Sequence, residues 1–163
     1  MAAVSRLPLA LVVLLAGCAG DRERLGPEWR PLRYLQEGGA LAVGLGPADA
    51  RTVGDTVHVA ELEAFRARHA DPVALAALLA HEQVHAARQE GDGWAWLARY
   101  LADRDFAWRE EQLGWAAQVR YLREHGRDVD PRAVARALAG YWHPSGQLVS
   151  ESAAFEWAQA AAR

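Results

Sequence analysis

Lysine is missing altogether: all 18 basic residues are arginine, set against 21 acidic ones, for a formal net charge of −3. With no basic excess the chain carries neither the electrostatic footprint of a nucleic-acid binder nor a polybasic patch for an anionic membrane surface. Together with abundant alanine, the missing lysine has the mark of a GC-rich bacterial genome rather than of a function. Cysteine is nearly as scarce. Cys18 is the single one, so no disulfide forms within the chain. Long apolar runs are absent too: the longest, Leu7 to Ala16, is too short to span a bilayer as a mature helix. What remains, 52% hydrophobic and 24% charged over 163 residues, fits one domain with a core of its own.

The rest of the chain is organised around His81-Glu82-Gln83-Val84-His85. On an α-helix, residues four apart lie one above the other, so His81 and His85 offer imidazoles to one ion. Glu82, one step round the helix, is placed to take a proton from water activated by that ion. This is the H-E-x-x-H arrangement, in which every fixed position has a chemical task. Its context supports a helix: Asp71 suits an N-cap, Pro72 the first helical position, and Val73 to Ala80 is apolar all round. Two histidines and a glutamate after such a run must be paired, ligated or set in a cleft, because unpaired buried charge is expensive.

The N-terminus reads as an export signal, with Arg6 as its positive charge and Leu7 to Ala16 as its apolar run. It ends in Leu15-Ala16-Gly17-Cys18, which resembles the lipobox of bacterial lipoproteins. The resemblance implies cleavage before Cys18, lipid on its thiol and a membrane anchor there, which also accounts for an unpaired exported cysteine. Residues 1–17 are then the signal peptide, 18–31 the lipidated N-terminus and a polar tether, and 32–163 the domain. The implied address is the bacterial cell envelope, outside the cytoplasm. In a Gram-negative source it is the outer membrane, since Ala19 is not the retaining Asp.

Periodicity predicts an α+β chain, mostly helical, with a small N-terminal β-hairpin or sheet. Leu32 to Leu45 suggests weak strands and turns. Arg51 to Val59 is a clearer hairpin, with β-branched residues either side of Gly54-Asp55. Helices are expected at Trp94–Ala102, Arg104–Glu124, Pro131–Ala139 and from Ser150 or Glu151 to Ala162. Gly140 to Gly146 is expected to be a loop. His58, on the hairpin, is a minor candidate for a further ligand.

A catalytic zinc takes three protein ligands and keeps one position open. The motif supplies two, and the metzincin pattern is excluded because Arg88 and Gly91 stand where its Gly and third His belong. The hairpin, Leu78 to His85, Gln89 and the later helix from Glu111 to Gln118 together resemble small bacterial zincin-like domains of the gluzincin type, over about residues 51 to 122. That family implies a zincin-like metallopeptidase fold and a third ligand from a Glu on a later helix, with a small residue three positions on. Glu111, followed by Gly114, fits better than Glu110, followed by Leu113. One departure stands out: many gluzincins carry an Asp four residues after the ligand Glu, and Trp115 is there instead.

The activity implied is zinc-dependent hydrolysis of a peptide or protein substrate, with Zn2+ on His81, His85 and Glu111 and Glu82 as general base. A further donor for the oxyanion is expected. Tyr121, Tyr141 and His143 are the candidates, and the sequence does not choose among them. Two other functions are compatible with the same residues: a zinc-binding envelope module without turnover, and an interaction lipoprotein using the helical tryptophans 94, 96, 108, 115 and 157.

Overall fold

The computed structural model describes residues 20–38 and 50–162. Short polar side chains set most helix starts. Asp71, Asp92, Asp103, Asp130 and Ser150 each accept a hydrogen bond from a backbone N–H two or three residues ahead, satisfying donors that the first turn leaves orphaned. The helices are α1 (Leu62–Arg68), α2 (Pro72–Arg88), α3 (Gly93–Ala102), α4 (Arg104–Glu124), α5 (Pro131–Ala139) and α6 (Glu151–Ala161). Four strands, β1 (Arg22–Arg24), β2 (Tyr34–Glu37), β3 (Arg51–Val53) and β4 (Thr56–Val59), form one sheet in the order β1-β2-β4-β3. β2 and β4 run parallel; the outer pairs are antiparallel. The fold class is α+β, as expected.

The expected hairpin about Gly54-Asp55 is β3–β4, with Gly54 at φ +61° as a tight turn requires. Val57 and Val59 are fully buried, joining Leu32, Leu35, Phe65 and Leu79 in a core between the sheet and α2. Each such side chain contributes roughly 1.5–3 kcal/mol by leaving water. A second core gathers Val119, Val134, Leu138, Val149 and Ala158 from α4, α5 and α6. Between the two cores run α2 and α4, the most extensively packed pair of elements. Trp108, Trp115 and Trp157 pack against the second core, so three of the five helical tryptophans serve packing.

Two expectations need correction, and one helix is an addition. The stretch expected to be a free tether folds from Arg22 onward: β1 pairs with β2, Pro27–Trp29 makes a 3-10 turn, and Trp29 packs on the first core. Gln83 of the motif secures that segment, its amide donating to the carbonyl of Arg30. The expected loop after α5 contains a hairpin of β5 (Trp142–His143) and β6 (Gly146–Gln147). Helix α1, not expected, follows the sheet and buries Phe65. Cys18, the signal peptide and residues 39–45 of the stretch expected to hold weak strands lie outside the described residues. Among the described residues, no helix is long and apolar enough to cross a membrane.

Candidate metal centre

Helix α2 starts on its Asp71 cap and Pro72, and its Val73–Ala80 half carries no exposed residue. One further turn brings His81 and His85 to the face that meets α4. Their Nε2 atoms are 3.0 Å apart. From α4, the Glu111 carboxylate approaches both, at 3.5 Å from His81 and 3.7 Å from His85. With one atom taken from each residue, the three lie within 4.8 Å of one another, and all three residues are buried. Two atoms each about 2.0–2.1 Å from a tetrahedral ion lie roughly 3.3 Å apart, so the nearest approaches here bracket the spacing zinc requires. The buried Glu111 Oε2 has no hydrogen-bond partner, a place that a cation would fill. The residues fit a metal ion.

Gly114 makes the approach work. A Cβ there would stand 2.6 Å from His81 Nε2, so α4 presents Glu111 to α2 only if residue 114 has no side chain. This distinguishes Glu111 from Glu110. Glu110 is as deeply buried, but both of its oxygens take hydrogen bonds from Arg88, at 2.5 and 2.7 Å. That bidentate pair removes Glu110 from the ligand candidates.

Electrostatics separate the two imidazoles. Burial disfavours charge on His81, yet the Glu111 and Glu82 carboxylates outweigh it and hold its pKa above the usual 6.5. On His85 burial prevails, and its pKa is lowered. Burial likewise opposes the charge on Glu111, but the two histidines and Tyr100 hold its carboxyl below its ordinary value. The Tyr100 hydroxyl donates to Glu111 Oε1 at 2.6 Å; burial and the carboxylate push that phenol well above its usual range.

Glu82 points into the same cavity as the three candidate ligands. Its Oε2 accepts a 2.7 Å hydrogen bond from the Thr52 hydroxyl on β3. Thr52 is itself held from behind. The Gln89 amide donates to the Thr52 carbonyl at 2.9 Å and accepts from Gly54 N–H at 2.8 Å, fastening the hairpin to the end of α2. Trp115, where the resemblance led one to look for a carboxylate, sets its ring edge-on to His81 at 5.8 Å, and Trp96 lies 5.7 Å from His85. Aromatic packing orients the rings from those sides. The Gln118 amide also approaches His81.

The three candidate oxyanion donors part company. Tyr141 lines the cavity beside Glu111, Glu82 and Trp115, and burial and the carboxylates push its phenol well above its usual range. Tyr121 is corrected: it sits ten residues beyond Glu111, about 15 Å along the helix, stacked on His125 and near Trp29. His143 is corrected too. It is buried with Nε2–H donating to the Tyr100 carbonyl at 3.1 Å and Nδ1 held by Ser145, so it ties the β5–β6 hairpin to α3. His58 lies on β4 near Gly38 and Arg22, outside the cluster, and burial lowers its pKa.

The cavity measures about 150 Å³. Its walls are β3, the motif turn of α2, α3 with Trp96, Leu97 and Leu101, and the segment Gly140–Trp142. Sequence reasoning missed Thr52, Tyr100 and Arg51 at this site; all three reach it by long-range packing that no local spacing encodes. No protein-family model matches this chain, nor does any curated protein or solved structure.

Proposed function

We propose that the chain is a zinc-dependent peptidase of the zincin-like, gluzincin type, anchored in the bacterial envelope through lipid on Cys18. The observation that carries this is the buried His81–His85–Glu111 cluster with Glu82 opening into the same cavity. An ion held by those three residues supplies Lewis-acid activation of water and of the scissile carbonyl. Glu82 receives the proton of the attacking water on the oxygen that Thr52 leaves unused and returns it to the leaving amine. Thr52 keeps that carboxylate from rotating away. Tyr141, whose phenol stays protonated, is the donor placed to stabilise the developing oxyanion. Tyr100 holds Glu111 by its Oε1.

The test is Glu82→Gln, which keeps shape but loses the base. It should keep zinc and fold while losing cleavage of a peptide library by about 10²–10⁴-fold. Cleavage at the wild-type rate would remove peptidase chemistry from this site. Zinc binding by both proteins with cleavage by neither favours a zinc-binding envelope module. The anchor is tested separately: Cys18→Ser should leave the membrane fraction, since stable anchoring needs acyl chains contributing about 0.8 kcal/mol per buried CH₂.

A further inference from the structure

The fold leaves a lipid on Cys18 almost no slack. Gly20, two residues on, is already tied into the sheet. Its N–H donates to the Glu37 carbonyl at 3.2 Å, and the Glu37 N–H donates to the Asp21 carbonyl at 2.8 Å. A Cβ on Gly20 would stand 3.0 Å from both the Cβ and the carbonyl oxygen of Glu37, so the two strands are in close contact there. From Arg22 the pairing continues as β1 against β2. Two residues span at most about 7 Å when fully extended. A domain of this length has a radius of gyration of roughly 15 Å, so its diameter is several times the reach of its tether. The side that carries Gly20 therefore faces the bilayer.

That side is the end of the sheet where β2 and β4 finish. The Gly38 N–H donates to the Val59 carbonyl at 2.8 Å, and the Glu37 carboxylate accepts from the Leu62 N–H at 2.9 Å at the start of α1. Asp21, Ala60 and Glu61 are exposed there. Carboxylates do not draw a surface to anionic lipid, so the contact depends on the short tether. The candidate metal centre lies near the same end. Arg22, Gln36, His58 and Arg51 form one row across the four strands, and Arg51 lines the cavity. The row is about 14 Å long at the spacing of paired strands, and Arg22 is at most about 14 Å of chain from Cys18. We propose that the protein works pressed against its own membrane: lipid on Cys18 holds the end of the sheet at Gly20, Gly38 and Ala60 on the bilayer surface, with the cavity wall at Arg51 within about 30 Å of the anchored residue. This rests on the lipid anchor of the reading above and not on the hydrolysis. Its partner is the headgroup layer, and its consequence is range. The cavity reaches polypeptide near that bilayer and none fixed farther away.

The experiment uses the full chain, purified from membranes with its lipid and placed in phosphatidylcholine vesicles that contain a nickel-chelating lipid. Cys18 is the single cysteine and the lipid takes its thiol, so only an introduced cysteine accepts a nitroxide label. One label goes on Ala60→Cys. The other goes on Glu156→Cys, exposed on α6, which packs in the second core beyond α2 and α4. Headgroup nickel should relax the label at 60 several-fold more than the label at 156. Inserting about 20 Gly/Ser residues between Ala19 and Gly20 gives a tether with a reach of about 25 Å, and should bring both labels to equal, weaker relaxation. Equal relaxation without the insertion would overturn the proposal, as would stronger relaxation at 156. A difference that survives the insertion would overturn it too, since the surface and not the short tether would then orient the domain. Mass spectrometry that finds no lipid on Cys18 removes the anchor and this proposal with it. The expected relaxation pattern without cleavage of any peptide supports the proposal and counts only against the hydrolysis.

Discussion

Glu110 and Glu111 are neighbours on α4, both almost without solvent contact, at 1% and 3% exposure. One residue along a helix is about 100° of rotation, enough to send them into different surroundings. Glu110 meets Arg88 through two hydrogen bonds and is complete. Glu111 meets two imidazoles and the neutral hydroxyl of Tyr100, and one of its oxygens has no hydrogen-bond partner. Burying an uncompensated carboxylate costs several kcal/mol. The first cluster offsets that cost with a permanent cation; the second offsets it with two imidazoles and a neutral hydroxyl, partners that a metal ion at the proposed site would supplement. Two glutamates of similar burial thus differ in what answers the charge: a permanent guanidinium at Glu110, titratable imidazoles at Glu111.

The widest gap between them should open on neutralising each in turn. Glu111→Gln should weaken zinc binding by more than about 100-fold, since losing a mere outer partner of a ligand already costs about 10–100-fold. Glu110→Gln should leave zinc affinity within about threefold; competition with a chromogenic chelator measures both. Gly114→Ala pushes on the same contact from the other side. The new methyl would occupy His81's place, so zinc affinity should fall by about 10–100-fold while helix content is kept. Arg88→Ala attacks the completed pair. It should cost about 2–3 kcal/mol in a denaturant titration, because Glu110 is left buried and unpaired, with zinc affinity unchanged in the folded protein. Tyr100→Phe should be milder, near tenfold in zinc affinity.

Protons sharpen the same contrast. A metal needs its imidazoles neutral, and His81 is held above 6.5 by the Glu111 and Glu82 carboxylates despite its burial. Zinc affinity should therefore decline as pH falls through the raised His81 value, by about tenfold per unit for each proton displaced. In Glu111→Gln this decline should set in at a lower pH, because one of the carboxylates that raise His81 is gone.

Much of the site could be read from spacing because helices encode it locally. Asp71, Pro72 and the two histidines four apart determine one helix and one face, and the structure places them so. Gly114 pointed to Glu111 because a small residue lets two helices approach closely, and a Cβ at that position would meet His81. The sheet was less legible. β1 is Arg-Glu-Arg, with no alternation to mark a strand; it exists because β2 offers it hydrogen bonds, and charged residues are what an edge strand tolerates. Thr52, Tyr100 and Arg51 come from segments separated from the motif by long stretches of chain, and only tertiary packing brings them to it. His143 and Tyr121 misled for the same reason, since a residue's type says nothing of which wall its side chain faces.

The Gln89 amide has a consequence beyond steadying Thr52. By donating to one carbonyl of β3 and accepting from the N–H two residues on, it reproduces the pair of bonds that a neighbouring strand would make. Among the described residues β3 is the last strand of its sheet, and the open side of such a strand is a template on which another chain can add and aggregation can start. A single side chain supplies the next rung and occupies the edge there, so this end of the sheet is capped by the residue that also caps α2.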